Sequence, residues 1–244
     1  MSKKRLDILL VERGLVITRE KAQRLILAGN VLVDDQPAVK CGHSYPEDCL
    51  IRIRGEDHPY VSRGGVKLAA ALDAFKIEVA DKVVLDIGAS TGGFTHVLLL
   101  RDVKLVHALD VGHSQLDWKI RSDPRVVVHE KVNARFLEWG QIGIKVDLIV
   151  MDVSFISLEK ILPSLIQFSH LETDWVTLIK PQFEVGKEKV GKGGIVTSPE
   201  DQAEAVDRVT TFGKSLGLIR RGLIDSPITG TEGNKEFLAH WKLN

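Results

Sequence analysis

Two cysteines, Cys41 and Cys49, are too few for a disulfide framework, and no Cys/His cluster at metal-ligand spacing accompanies them. They read as reduced thiols, and no metal is expected. No uncharged apolar run approaches the roughly 20 residues that a membrane-spanning helix needs. Asp7 and Glu12 interrupt the apolar stretch after the basic start Lys3-Lys4-Arg5, which speaks against a signal peptide. A soluble, cytoplasmic chain with no membrane partner is therefore expected. Internal repeats and low-complexity tracts are missing too. So is an excess of either charge, because 33 Lys and Arg balance 33 Asp and Glu. A nucleic-acid partner gains nothing from net charge and must be argued locally.

What the sequence does have is apolar residues, 44% of its 244 positions. That is enough for a buried core and argues against wholesale disorder. The length suits a large domain with a small one attached.

Residues 1–57 read as the small domain. Leu6, Leu9, Leu10 and Arg13 recur at helical spacing until Gly14 stops the helix. Thr18 offers an N-cap hydroxyl to a second helix carrying Ala22, Leu25 and Ile26, and Gly29 ends it. Val31 and Val33 alternate into a turn at Asp34-Asp35-Gln36-Pro37, and Leu50, Ile51 and Ile53 suggest a closing strand. Residues 1–24 carry seven basic side chains against three acidic ones. A solvated helix face is the plain reading of that excess. The order helix, basic turn, helix, Ala28-Gly29-Asn30-Val31, strand resembles the S4 RNA-binding domain, whose helices present bases to RNA phosphates. The resemblance implies RNA contacts from Lys3, Lys4, Arg5, Arg19, Lys21 and Arg24. His58-Pro59-Tyr60 reads as a hinge, within a linker over 58–61.

Over 62–244 short apolar segments alternate with helix-length ones. Strands are expected at 82–87, 104–110, 125–129, 146–152 and 175–180, with a helix at 158–168. A long helix at 200–216 precedes two final strands at 218–225 and 235–241. The alternation predicts an α/β fold, a mostly parallel seven-stranded sheet with helices on both faces.

The most informative segment joins the strand Val83-Val84-Leu85-Asp86-Ile87 to Gly88-Ala89-Ser90-Thr91-Gly92-Gly93-Phe94-Thr95. A glycine turn between strand and helix lies where open α/β sheets bind ligands. Alone it suits a dinucleotide, a nucleotide or mere packing. There is no Gly-Lys-Ser/Thr ending, so a P-loop is disfavoured. Asp86 precedes the first glycine, suited to a cationic amino group, and Asp110 ends the next strand, where ribose hydroxyls would meet it. The combination resembles class I methyltransferases, which implies a Rossmann-like fold and S-adenosylmethionine. The cofactor set implied is Asp86, Gly88, Ala89, Ser90, Thr91, Gly92, Gly93, Phe94, Asp110, Val111, Asn133 and Asp152.

For the acceptor, the residues after the fourth strand read Asp152-Val153-Ser154-Phe155, which lacks the Asn/Asp-Pro-Pro-aromatic motif of amino-nitrogen transferases. A pyrimidine C5 transferase needs a nucleophilic cysteine, and both cysteines lie in the N-terminal segment, so that chemistry is not supported. A ribose hydroxyl is a poor nucleophile and benefits from a base and nearby cations. Asp152 ends the fourth strand and Lys180 the fifth, and the ends of parallel strands converge on one crevice, so these two can share a site. Spacing alone does not place Lys67 or Glu236 with them. The order Lys67, Asp152, Lys180, Glu236 resembles the tetrad of FtsJ-like ribose 2′-O-methyltransferases. With the S4-like segment in front, the chain resembles the TlyA family, sometimes labelled haemolysin, through 62–67, 86–95, 152–155, 178–183 and 233–237. The resemblance implies cytidine 2′-O-methylation of ribosomal RNA. Lys180 would be the base, its neutral form favoured by burial and the Lys67 cation. Asp152 would orient it, and Lys67 and Glu236 would hold the ribose. Arg63 and the loop lysines Lys187, Lys189 and Lys192 are further candidates for RNA contact. A non-catalytic assembly factor is the competing reading, and the intact turn and tetrad argue against it. A membrane-active haemolysin would need an amphipathic or spanning segment that the sequence does not contain.

Overall fold

Val31–Val33 and the fully buried strands Leu148–Met151 and Asp174–Ile179 anchor the apolar cores of this chain. The computed structural model describes residues 3–16, 18–53, 58–230 and 232–244. Contacts separate it into two compact units, Met1–His58 and Pro59–Asn244. The domain end expected at residue 57 lies outside the described residues.

In the first unit Lys3–Arg5 (β1) leads into Leu6–Glu12 (α1), and Arg19–Leu27 (α2) follows. Thr18 Oγ1 accepts the Lys21 N–H and caps α2. At its other end Gly29 takes φ 71°, with Gly29 N–H on the Ile26 carbonyl and Asn30 N–H on the Leu25 carbonyl. That pair of bonds is a Schellman stop. Val31–Val33 (β2) turns through Asp34 and Asp35, both at positive φ, into Gln36–Pro37 (β3), a two-residue hairpin whose twist suits the strands. Ser44–Pro46 (β4) pairs with β1, and Ile51–Ile53 (β5) with β2. Leu6, Leu9, Leu10, Ala22, Ile26, Val31 and Val33 close over one core.

The second unit begins with Gly64–Phe75 (α3), Val83–Ile87 (β6), Gly93–Leu100 (α4) and Leu105–Asp110 (β7). Trp118–Arg121 (α5), Val126–Glu130 (β8), Trp139–Ile142 (α6), Leu148–Met151 (β9) and Leu162–Leu165 (α7) come next. Asp174–Ile179 (β10), Pro181–Glu184 (α8), Pro199–Ser215 (α9), Leu218–Asp225 (β11) and Phe237–Leu243 (β12) complete it. The sheet order is β11-β12-β10-β9-β6-β7-β8, with β12 antiparallel to both neighbours. This is the α/β architecture that the sequence implied. Alternate residues serve opposite faces: Leu85, Ile87, Ile149 and Met151 join one core, and Val84, Val106, Leu148 and Val150 join the other.

Two expectations are corrected. The helix over 158–168 is three short pieces, and the first break falls where Pro163, in the first turn of α7, has no N–H to carry the ladder through. The last strand starts at Phe237, so Glu236 precedes it rather than lying within it.

Candidate active site

The chain runs outward through β6, β7 and β8, then returns to place β9 on the other side of β6, creating a switch point between β6 and β9. Register sets what meets there. Ile87 pairs with Met151, and Met151 with Thr177, so Gly88, Asp152 and Lys180 emerge from the carboxyl ends of three neighbouring strands. Because β12 is antiparallel, its first residue Phe237 lies opposite Ile179, and Glu236 reaches the same edge from the opposite chain direction. Lys67 arrives on the first turn of α3.

The four side chains line one cavity of about 640 Å³. Lys180 Nζ lies 2.7 Å from Asp152 Oδ1 and donates to Ser154 Oγ at 2.8 Å. Lys67 Nζ donates to Glu236 Oε2 at 2.5 Å. Both lysine side chains are only 10% exposed. Charges taken this far out of water persist only when paired.

The glycine turn forms one wall, but its glycines mainly let the protein close upon itself. A Cβ on Gly88, at φ 82°, would come within 2.3 Å of the Asp152 carbonyl oxygen. One on Gly93 would meet Ser62 Oγ at 2.2 Å and the Gly65 nitrogen at 3.0 Å. Side chains here would push β6 from β9 and α4 from α3. Beneath the turn, Asp86 is fully buried. Its Oδ2 accepts the Thr95 hydroxyl at 2.6 Å, while Oδ1 has no hydrogen-bond partner. Burial pushes this carboxyl up to about 7, against the Thr95 hydrogen bond. Asp110 Oδ2 accepts the Ser90 N–H at 2.8 Å, and its Oδ1 accepts the Gly112 N–H at 2.7 Å. Asp110 lines a small adjoining recess with Ala89, Ser90 and Glu130.

Lys67, Gly88, Ala89, Ser90, Thr91, Gly93, Phe94, Asp152, Lys180 and Glu236 thus share the cavity wall, as does Arg63. Asp86, Gly92, Val111 and Asn133 do not. Gly92 packs towards Leu116 and Ile120, Val111 is exposed, and the Asn133 side chain caps a short turn by accepting the Arg135 N–H. In the N-terminal unit Arg5 and Arg19 both bind the buried Asp7, which also accepts from Gln23, and Lys4 binds Glu12. Lys3 is an exposed residue of β1, and Lys21 and Arg24 lie on α2.

Sequence reasoning gave no role to Ser154, Phe155 or Phe183. Phe155 is 92% exposed at the cavity, adopts φ 65° and lies 5.3 Å from the Phe183 ring. A bulky residue at positive φ is strained, and nothing in the local sequence announces it. The Asp152–Phe155 motif was the available signal.

An FtsJ-like methyltransferase family model matches residues 60–243, and an S4 domain model matches residues 4–39. The 16S/23S rRNA (cytidine-2′-O)-methyltransferase TlyA of Mycobacterium tuberculosis is 47% identical over 234 residues, covering 96% of this chain and 87% of that protein. Hemolysin A of Brachyspira hyodysenteriae is 41% identical over 239 residues, covering 97% of this chain and 99% of its own. A solved Streptococcus thermophilus protein labelled hemolysin superposes with a TM-score of 0.79 at 42% identity, covering 100% of this chain and 90% of that one. Among the described residues, no helix is long and apolar enough to cross a membrane. With its transferase domain, its S4 domain and relatives matched along nearly their whole length, the chain belongs to the TlyA family of FtsJ-like methyltransferases.

Proposed function

We propose that this methyltransferase modifies the ribose 2′-hydroxyl of cytidine in ribosomal RNA, with S-adenosylmethionine as methyl donor and Lys180 as base. The observation that carries the reading is that two lysine–carboxylate pairs, Lys180–Asp152 and Lys67–Glu236, share one cavity beside the glycine turn. The substrate is the one named for the M. tuberculosis relative.

The residues present fit the cofactor. A buried carboxylate oxygen without a partner is costly; Asp86 Oδ1 is such an atom, beneath the turn and off the cavity wall, so a ligand ammonium would pair with it only if the turn moves aside. Gly88, Ala89, Ser90, Thr91, Gly93 and Phe94 on the cavity wall, with Asp110 in the adjoining recess, would hold the cofactor. When bound, it would supply an electrophilic methyl group on a sulfonium, whose carbon–sulfur bond breaks on transfer to release a neutral thioether. The protein's task is then to orient the acceptor and take its proton. As the hydroxyl oxygen forms its bond to carbon, its O–H bond breaks and the proton passes to Lys180 Nζ. Asp152 orients that amine, and Lys67, held by Glu236, donates to a ribose oxygen. The S4 unit, with Lys3, Lys4, Arg5, Arg19, Lys21 and Arg24, holds RNA phosphates, and Arg63 does so at the cavity. Phe155 offers an exposed ring on which a base can stack.

The test is methyl incorporation from labelled S-adenosylmethionine into ribosomal RNA that lacks the modification, followed by digestion to nucleosides. Label on the cytidine ribose is the expected result. Label on a base, or none while the cofactor still binds, would overturn the reading.

A further inference from the structure

We propose that Ser154 is a positioning residue that aims the Lys180 amine at the acceptor hydroxyl, an inference that rests on Lys180 being the base. A neutral amine has two N–H bonds and one lone pair, arranged tetrahedrally about nitrogen. Lys180 Nζ has two acceptors in reach, Asp152 Oδ1 at 2.7 Å and Ser154 Oγ at 2.8 Å. When both N–H bonds are engaged, the one remaining direction belongs to the lone pair. The lysine stem is almost wholly buried, and Lys180, Asp152 and Ser154 all line the cavity, which is where an acceptor hydroxyl would have to meet that lone pair. With Asp152 alone the second N–H and the lone pair could exchange the two remaining tetrahedral positions, and the lone pair would have no single aim. Ser154 supplies the second fixed point.

The residue type matters as much as the place. A hydroxyl accepts the N–H without adding charge, whereas a second carboxylate would favour the ammonium form, which has no lone pair to offer. The loop that carries Ser154 is also fastened. Ser157 Oγ donates to Glu184 Oε2 at 2.6 Å, and the Leu158 N–H donates to Glu184 Oε1 at 2.9 Å. Glu184 closes the helix that follows Lys180, so the serine and the lysine are tied to one another through two short links.

The test compares Ser154→Ala, Ser154→Thr and Lys180→Ala in the full chain, with unmodified ribosomal RNA and S-adenosylmethionine, measuring kcat and both KM values. Ser154→Ala should lower kcat roughly tenfold or more with KM unchanged. Ser154→Thr, which keeps the hydroxyl, should restore most of that loss. Full kcat in Ser154→Ala, a loss confined to KM, or a threonine no better than alanine would overturn the proposal. If Lys180→Ala keeps wild-type kcat, the base assignment fails and the role of Ser154 falls with it. If Lys180→Ala is inactive while Ser154→Ala is fully active, the role of Ser154 alone is refuted.

Discussion

Asp7 in the N-terminal unit and Asp86 in the transferase unit are both completely buried, yet their surroundings push them in opposite directions. Asp7 is bound by Arg5, Arg19 and Gln23, and the Arg5 guanidinium above all holds it well below the usual carboxylate range. Asp86 has only Thr95 for a partner, and burial raises it to about 7. The first acid is satisfied by its own chain. It also keeps Arg5 and Arg19, each nearly half-exposed, in fixed positions, as suits a surface for phosphates. The second acid has an unused oxygen and no cation, as suits a site whose counter-charge arrives with a ligand. The difference teaches that a buried acid is informative chiefly through which partner it lacks.

The comparison can be broken most forcibly at Glu236, whose cation is Lys67. Lys67→Met would leave Glu236 a buried, unpaired acid, and should cost roughly 3–5 kcal/mol in denaturant unfolding. Adding Glu236→Leu should recover most of the stability but none of the methyl transfer. Next is Asp86→Asn. A buried acid with a raised pKa loses its contribution to stability as pH climbs from about 4 to about 7. The variant should therefore be more stable than wild type at pH 8 by roughly 2–4 kcal/mol, with the gap shrinking to about 1 kcal/mol at pH 5 and closing below about pH 4. S-adenosylmethionine should then stabilise wild type more than the variant, as thermal melting would show. Asp7→Asn should act the other way. A depressed acid stabilises above its unfolded pKa, so the variant should lose about 1–3 kcal/mol at neutral pH, and the loss should fade as pH falls below about 4. The smallest effect is at Phe155, whose φ of 65° favours glycine. Phe155→Gly should hold or raise stability by up to about 1 kcal/mol while weakening RNA binding in a filter assay.

Much of this was legible in the sequence. Strand positions followed from apolar runs such as Leu148-Ile149-Val150-Met151, and the switch point from the glycine turn after Ile87. The link between Lys67 and Glu236 was not, because 169 residues separate them and it takes the antiparallel pairing of β12 with β10, and the packing of α3 on β12, to bring them together. Nor could the sequence show that Gly88 and Gly93 make room for protein atoms, or that Phe155 lies at positive φ, since both depend on tertiary packing. Asp86 was visible as an acid before the turn. Its missing partner emerges only once every neighbouring donor has a position.

The most direct measurement is the single-turnover rate of methyl transfer for Lys180→Ala and wild type, with RNA and S-adenosylmethionine both saturating. A fall of about 10²-fold or more with unchanged cofactor affinity is the expected result. A rate close to wild type would contradict the assignment of Lys180 as the base.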